Sequence, residues 1–340
     1  MTVMSTADRA VAYWLASICV VVFLMIIVGG VTRLTHSGLS MVEWKPILGS
    51  IPPLNQEDWQ EAFDAYKQFP EYQKVNHGMA LDDFKFIYYW EYSHRLLGRF
   101  IGLIFFIPFV MLAYFKMIRR SMMPKLLFAF VLGGLQGLMG WYMVKSGLVD
   151  LPRVSHFRLA AHLILAMFLM AYLYWLILDL LKVQVRSVSP GIQKLLYSVI
   201  VLFGLQVLYG AFVAGLRAGL GFNTFPLMDG QLLAEAATTM SPLLVNFLEN
   251  GAMVQFVHRW IAVLLIVMSI VGLTMTAKNR GVATGWVILT ALIAAQFVLG
   301  VSTLVMYVPI AVASLHQAGA VIVMLALVYL LYTSKTAENS

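Results

Sequence analysis

The sequence predicts an all-α integral membrane protein whose helices cross the bilayer eight times. Hydrophobic residues make up 61% of the 340 positions and charged residues 11%, whereas a soluble globular protein carries about 25% charged residues. The mean hydropathy is +0.84. The apolar residues are grouped in runs of the roughly 20 residues that a helix needs to cross a membrane. Together these observations exclude a soluble domain.

Eight apolar runs account for the eight expected spans, which we number 1 to 8 along the chain. The first run is too long for the apolar region of a signal peptide and lacks a small-residue cleavage site. It is therefore expected to remain as a helix. The runs lie near residues 11–30, 88–115, 125–144, 156–180, 193–215, 251–276, 284–305 and 309–332.

Cysteine usage and net charge limit the classes of site and partner. The single cysteine, Cys19, lies inside span 1, which excludes intrachain disulfides, Cys-ligated zinc and iron–sulfur clusters. The net charge of +7 comes mostly from residues in short loops. These residues do not form the basic, aromatic stripe that binds nucleic acid. The expected surroundings are a lipid membrane, with no nucleic-acid partner.

Lysine and arginine residues predict the orientation of the spans. They are concentrated in the connections after spans 2, 4 and 6, so the positive-inside rule places these connections and both termini in the cytoplasm or matrix. The outer side then holds residues 31–87, 145–155, 216–250 and 306–308. The inner connections carry Lys116, Arg119, Arg120, Lys125, Lys182, Arg186, Lys194, Lys278 and Arg280.

The longest outer segment contains a candidate amphipathic helix. Trp59, Phe63 and Tyr66 recur at helical spacing, and acidic residues occupy the other positions of the same stretch. Such a helix either lies on the membrane surface or caps the protein, and the pattern favours the cap.

Three landmarks recur in the same order along the chain and indicate an internal duplication. His94 and His258 open spans 2 and 6, and His162 and His316 lie in spans 4 and 8. The third landmark is the likeness of residues 135–140 in span 3 to residues 295–300 in span 7. The sequence therefore predicts two pseudo-symmetric four-helix bundles, residues 1–182 and 183–340, related by an axis along the membrane normal.

The four repeated histidines are candidate metal ligands. Each lies within about two turns of the outer end of its span, so all four are expected at one depth. Ionisable groups inside a membrane are costly and usually mark function, although a hydrogen bond between helices is the alternative for a single histidine. The remaining histidines are expected at the surface, in outer loops or at a span edge: His36, His77 and His156.

Two histidines in each half suit the axial ligation of a haem in a four-helix bundle. Zinc or copper would need a third ligand. In span 2, Gly98 and Gly102 follow His94 on one helix face. The absence of side chains at these glycines either leaves room beside the helix for a flat macrocycle or allows another helix to pack closely. Four arginines near the same level either pair with haem propionates or extend to lipid headgroups: Arg95, Arg99, Arg158 and Arg259.

The chain resembles the haem A synthase family over nearly its whole length. The resemblance rests on residues 91–99, with the order Glu-Tyr-Ser-His-Arg-Leu-Leu-Gly-Arg, and on the segments around the other three histidines. It also rests on residues 38–41 and 43–46 after span 1 and on residues 223–228 after span 5. The chain resembles the mitochondrial and alphaproteobacterial branch, which has a long first outer loop. It does not match the branch with paired cysteines in outer loops, since Cys19 stands alone in a span.

This resemblance implies an enzyme that oxidises the C8 methyl of haem O to the formyl of haem A, which haem–copper terminal oxidases use. It also implies haem b as cofactor, haem O delivered by a haem O synthase, and a link to terminal oxidase assembly. The expected location is the bacterial inner membrane, or the mitochondrial inner membrane in a eukaryote. The electron donor or acceptor stays unidentified.

One ionisable group distinguishes the two halves. Glu91 lies three residues before His94, whereas Gln255 lies three residues before His258. A carboxylate at a haem edge can accept a proton and stabilise positive charge during C–H oxidation, and an amide cannot. We therefore assign Glu91, His94 and His162 to the substrate haem, and His258 and His316 to a resident haem b. The alternative role for Glu91 is a salt bridge to Arg95, one turn along the helix.

Two other functions account for part of the pattern. A dihaem b-type electron-transfer cytochrome would explain the four histidines without catalysis. A transporter would explain the duplication, but it would be expected to have helices broken by glycine or proline at the midplane.

Overall fold

The computed structural model describes residues 5–42, 49, 51–145 and 153–336, and within this part eight helices are long and apolar enough to cross a membrane. The eight predicted spans and the all-α class are thereby confirmed. In chain order, the helices are α1 (Thr6–Leu34), α2 (Gln56–Lys67), α3 (Pro70–Lys74), α4 (Leu81–Tyr114), α5 (Met123–Lys145), α6 (His156–Leu180), α7 (Pro190–Gly215), α8 (Asn246–Glu249), α9 (Gly251–Thr276), α10 (Arg280–Val305) and α11 (Ile310–Thr333). Spans 1 to 8 correspond to α1, α4, α5, α6, α7, α9, α10 and α11.

The second span is longer than its apolar run. Helix α4 begins at Leu81, seven residues before the predicted start near residue 88, and its first turn contains Asp82 and Asp83. Hydropathy detects only the apolar part of a helix, whereas the backbone continues as a helix through these polar residues. The extension provides a surface on which the outer segment packs.

The chain divides into two compact units, which are described separately. The N-terminal unit is Val20–Ala166, and the C-terminal unit combines Met1–Cys19 with Met167–Ser340. His94 and His162 lie in the N-terminal unit, and His258 and His316 lie in the C-terminal unit. The predicted bundles of residues 1–182 and 183–340, and their pseudo-symmetry, stay predictions.

Helix α2 is the amphipathic helix predicted in the outer segment. Its N-cap is Asn55, whose side chain accepts a hydrogen bond of 2.8 Å from the backbone N–H of Asp58. The apolar face of α2 buries Trp59, Phe63 and Tyr66 against the first turns of α4. Because this face is covered by protein, the packing of α2 agrees with the cap that the sequence favours.

The phenol of Tyr66 links this cap to the chain that follows it. Its hydroxyl lies 3.2 Å from a carboxylate oxygen of Glu71 and accepts a hydrogen bond of 2.8 Å from the amide of Asn76. Burial and the nearby Glu71 carboxylate raise the pKa of Tyr66 above its usual range. The phenol therefore stays protonated and can donate to Glu71.

The core of the C-terminal unit is centred on Trp286 of α10. This side chain is fully buried among apolar residues of α7, α9 and α11. Gly272 of α9 lies directly against the indole, so that a Cβ atom at this position would overlap the ring. At the end of α11, the two-residue strand β2 (Ser334–Lys335) pairs in parallel with β1 (Arg186–Ser187).

Replacing Gly272 with alanine should destabilise the C-terminal unit by about 1–3 kcal/mol, the usual cost of overpacking a core. The expected measurement is a lower temperature of thermal unfolding for the protein purified in detergent. Gly204→Ala is the matched control, because a Cβ at Gly204 meets nothing within 4 Å and alanine favours a helix. Unfolding of Gly272→Ala at or above the wild-type temperature would contradict the proposed packing.

Candidate functional site

Each of the four candidate ligand histidines packs against a glycine of the long helix that precedes its own. A Cβ atom placed on the glycine would lie 3.0–3.2 Å from the imidazole, closer than such contacts normally allow. Glycine is therefore what lets the two helices bring the ring this close to the backbone. The pairs are Gly29 with His94, Gly140 with His162, Gly210 with His258, and Gly300 with His316.

The four histidines are divided between the two compact units. His94 and His162 lie in the N-terminal unit, and His258 and His316 lie in the C-terminal unit. Among the described residues, no group of three His, Cys, Asp or Glu side chains is placed to hold a metal ion. Each unit thus presents a pair of imidazoles, the number of protein ligands that a bis-histidine haem needs.

Glutamine side chains accompany two of the four imidazoles. The amide nitrogen of Gln136 lies 3.2 Å from Nδ1 of His162, and that of Gln206 lies 3.3 Å from Nε2 of His258. The sequence analysis missed these residues as part of the site, although a signal was available. The spacing Gln-x-x-x-Gly recurs at residues 136–140, 206–210 and 296–300.

Buried polar atoms without a hydrogen-bond partner are concentrated around the second pair. They include Nδ1 of His258, Nδ1 of His316, Oε1 of Gln206, and both amide atoms of Gln296. Leaving such a group buried and unsatisfied costs about 1–3 kcal/mol, so their grouping indicates a place where a further group binds. An imidazole nitrogen is the atom that haem iron binds, and the residues present therefore fit a haem.

The space beside the glycines that follow the histidines on their helices differs between the two units. On α4, a Cβ at Gly102 would meet nothing within 4 Å, and one at Gly98 would meet only the methyl group of Met25 at 3.4 Å. On α11, by contrast, Gly319 lies against the Gln296 amide, which a Cβ there would overlap. The open space at Gly98 and Gly102 in the N-terminal unit agrees with the room expected for a macrocycle. At Gly319, by contrast, the small residue is explained by close packing of α10 on α11.

Glu91 is buried and anchors the segment that follows α1. Its carboxylate accepts hydrogen bonds from the Ser40 hydroxyl (2.8 Å) and the Met41 N–H (2.7 Å), and it forms an ion pair with Arg95. Arg95 also donates a hydrogen bond of 2.8 Å to the Met41 carbonyl. The structure thus contains the salt bridge considered as the alternative role for Glu91. Residues 43–46, which belong to the family resemblance, lie outside the described residues.

Gln255 and Arg259 bind the segment after α7 in a similar way. Gln255 donates hydrogen bonds of 2.8 Å to the carbonyls of Ala218 and Gly221 and accepts one of 2.9 Å from Arg259. Arg259 donates to the carbonyl of Phe222 at 2.6 Å. A neutral amide therefore occupies, in the C-terminal unit, the position that the Glu91 carboxylate occupies in the N-terminal unit.

Two polar residues of the segment after α7, Asn223 and Thr224, are also anchored. The Thr224 carbonyl accepts a hydrogen bond of 2.8 Å from Arg259. The Asn223 amide donates two hydrogen bonds of 2.7 Å, one to the Gly219 carbonyl and one to the Leu304 carbonyl at the end of α10. Residues 223–228, noted for their family resemblance, thus belong to a loop that Asn223 and Thr224 fix to α10 and α9.

The four candidate propionate partners have different surroundings. The guanidinium groups of Arg95 and Arg259 bind loop carbonyls, as described above. Arg158 donates a hydrogen bond of 2.9 Å to the Tyr142 carbonyl and lies 3.8 Å from the centre of the Tyr142 ring. Arg99 is half-buried, one turn after Arg95 on α4. Pairing of these residues with propionates stays a prediction.

The other three histidines lie outside the long helices or at the end of one. His36 and His77 are exposed, which agrees with the expectation for surface residues. His156 is half-buried at the first position of α6, where its ring lies 4.0 Å from that of Phe157.

Comparison with known proteins gives a consistent result. Residues 12–328 match the family model COX15-CtaA, described as cytochrome oxidase assembly protein. The chain is 47% identical over 317 residues to a haem A synthase of Parvibaculum lavamentivorans, covering 93% of this chain and 91% of the relative. It is 49% identical to that of Nitrosospira multiformis (93% and 90% covered) and 42% identical to that of Flavobacterium johnsoniae (97% and 99% covered).

Proposed function

Because this chain belongs to the COX15-CtaA family of cytochrome oxidase assembly proteins, we propose that it is a haem A synthase. In this proposal the protein is a membrane oxidoreductase that converts the C8 methyl of haem O to the formyl of haem A. The product is used by haem–copper terminal oxidases. The observation that carries the proposal is that each unit holds two of the four histidines, and that the buried residue three positions before His94 is the carboxylate Glu91, whereas the one before His258 is the amide Gln255.

We assign the N-terminal unit to the substrate. His94 and His162 would bind the iron of haem O, and the clearance at Gly98 and Gly102 would accommodate the macrocycle. Glu91 is one turn before His94, and three donors hold its carboxylate in place. A carboxylate fixed in this way can stabilise positive charge at the haem edge and accept a proton as a C–H bond is oxidised.

We assign the C-terminal unit to a resident haem b. His258 and His316 would be its axial ligands, and the bound haem would supply one-electron transfer. Gln255 adds no charge at this site because it is neutral. The unsatisfied atoms of His258, His316 and Gln206 support a permanently bound group here.

The membrane orientation proposed from the sequence places both termini in the cytoplasm and the four histidines near the outer face. For a bacterial protein the membrane is the inner membrane, and for a eukaryotic one it is the mitochondrial inner membrane. Haem O would then arrive from a haem O synthase in the same membrane. The electron partner is a further component that the proposal does not identify.

One observation favours a second candidate, a dihaem b-type electron-transfer cytochrome without catalysis. Glu91 with Arg95 and Gln255 with Arg259 make similar contacts to the segments that follow α1 and α7. A purely structural role for Glu91 would be compatible with this second function.

Replacing His258 or His316 with alanine should remove most of the low-spin b-type absorbance of the purified protein, because each change removes one ligand of the resident haem. His94→Ala and His162→Ala should leave most of it. The measurement is the reduced-minus-oxidised spectrum at equal protein concentration. Equal loss in all four variants would mean that a single haem is shared by the four histidines, contrary to the assignment.

Replacing Glu91 with glutamine should lower haem A formation by about 10²- to 10⁴-fold, the usual contribution of a positioned proton acceptor. The substitution preserves the shape of the side chain but replaces one of its two acceptor oxygens with an NH2 donor and removes the charge. Because His94 is held by its own packing against Gly29, its binding should survive. Chromatography of haems from cells with the variant as their only copy should show haem O or a hydroxylated intermediate instead of haem A.

Gln255→Glu is the reciprocal variant for this experiment, since it adds a carboxylate at the corresponding position of the other unit, where the wild-type amide donates to the Ala218 and Gly221 carbonyls. It should not create a second catalytic site or increase haem A. Normal haem A with Glu91→Gln, in a protein that keeps its bound haem, would favour the electron-transfer cytochrome.

The proposed orientation predicts that residue 120 is cytoplasmic and that residues 31–87 are outside. An alkaline phosphatase fusion at residue 120 should therefore be inactive, because the reporter folds only outside the cytoplasm, and one at residue 60 should be active. An active fusion at residue 120 would reverse the topology and remove the argument that the histidines lie near the outer face.

A further inference from the structure

A groove lies between α10 and α11 in the C-terminal unit. Its volume is about 510 Å³, within the range of about 300–1,000 Å³ that is usual for ligand-binding clefts. The exposed side chains of Ile288 and Ile322 lie along it, and Arg186 and Gly281 lie at one end. Among the described residues that line the groove there is no candidate ligand histidine. The groove is therefore separate from the candidate haem sites.

The groove is as long as one leaflet of a bilayer is thick. From Gly281 to Leu292, two of its lining residues, α10 advances about 16 Å at roughly 1.5 Å per residue. The hydrocarbon core of a bilayer is about 30 Å thick, so an acyl chain of one leaflet extends over about half of that thickness. Since α10 and α11 are both membrane spans, an acyl chain matches the groove in length and in polarity.

Two glycines of α10 shape the end of the groove. A Cβ atom at Gly285 would lie 2.5 Å from a methyl carbon of Leu330, so α10 and α11 approach each other closely there. A Cβ atom at Gly281 would lie 2.9–3.1 Å from three atoms of the Arg186 guanidinium. The guanidinium therefore rests directly on the backbone of α10, at the place where an acyl chain in the groove would join its headgroup.

Main-chain contacts fix the position of Arg186. It is paired with Ser334 in the parallel ladder of β1 and β2, and the Val188 N–H donates a hydrogen bond of 2.9 Å to the Lys335 carbonyl. The guanidinium donates to the Gly281 carbonyl, its one partner within the described part of the chain. A guanidinium has five N–H donors in a fork that matches phosphate. Because Arg186 is exposed, its other donors are accessible to a bound anion.

The connections at this end of the unit are positively charged. Residues 181–189, 277–279 and 334–336 contain no acidic residue. In the same unit, Asp179 lies near Tyr332, and Asp8 is buried. Basic pockets between membrane helices bind anionic lipid headgroups, so the charge at this end complements such a headgroup. The cations of the three connections are Lys182, Arg186, Lys278 and Lys335.

We propose that this groove binds one anionic phospholipid. The Arg186 guanidinium holds the phosphate, and one acyl chain lies along Ile288, Leu292 and Ile322. An arginine that only extends to lipid headgroups needs neither a fixed guanidinium nor a groove, whereas Arg186 has both. The site is independent of the proposed function, since no candidate haem ligand contributes to it. In the proposed orientation the lipid belongs to the cytoplasmic leaflet, whose surface is negatively charged.

The test measures lipid binding to the purified full-length protein by native mass spectrometry. Dioleoylphosphatidylglycerol is the anionic probe, and dioleoylphosphatidylcholine has the same chains with a neutral headgroup. One phosphatidylglycerol should bind more tightly than phosphatidylcholine. Arg186→Gln should raise its dissociation constant about 5-fold, the contribution of one cation near an anionic lipid surface. Arg120→Gln is the matched control, because it removes an exposed arginine from the connection between α4 and α5, and it should leave the dissociation constant unchanged.

Ile322→Trp tests the acyl-chain part of the site while Arg186 stays intact. The larger side chain at this exposed position should obstruct the groove and weaken phosphatidylglycerol binding, and this variant carries the test if Arg186→Gln does not fold. Equal binding of the two lipids to the wild type, equal effects of Arg186→Gln and Arg120→Gln, or unchanged binding in Ile322→Trp would each overturn the proposal. A dimer that added lipid does not dissociate and that Ile322→Trp abolishes would assign the groove to a second copy of this chain, also contrary to the proposal.

Discussion

The structure depends on the constraint that a polar ring inside an apolar bundle must have close and specific neighbours. An ionisable side chain in the membrane is costly unless it is paired or functional. In this protein every candidate ligand histidine meets the constraint in one way, by lying against a glycine of the preceding long helix. The absence of a side chain on the glycine lets the imidazole approach the backbone, and the direction of the ring is thereby set by the packing of two helices.

The segments after α1 and α7 are held by a different pair of positions. Glu91 with Arg95, and Gln255 with Arg259, bind main-chain groups of those segments directly above the histidines on the same helices. The loop and the ligand in each unit are therefore positioned by one helix, α4 or α9. Because the carboxylate and the amide have the same shape and differ in charge, the two units can share this architecture and still provide different electrostatic surroundings for a bound haem.

The two units also differ in the surroundings of their histidines. Among the described residues, the buried polar atoms without a hydrogen-bond partner lie mainly in the C-terminal unit. In the N-terminal unit, a Cβ at Gly102 would meet nothing within 4 Å. The proposed resident haem and the proposed substrate haem would therefore meet different surroundings.

The sequence by itself determined the eight spans and the amphipathic helix α2, because hydropathy and periodicity are properties of the chain read in order. The pairing of the histidines as haem ligands stays a prediction. Only the tertiary structure decided that Gly29 and Gly210 contact imidazoles, that Glu91 binds Ser40 and Met41, and that Gly319 is small because the Gln296 amide lies on it. These contacts join residues far apart in the chain, and they depend on the rotation of each helix about its axis and on the distance between helices. Neither quantity is contained in a local pattern of residues.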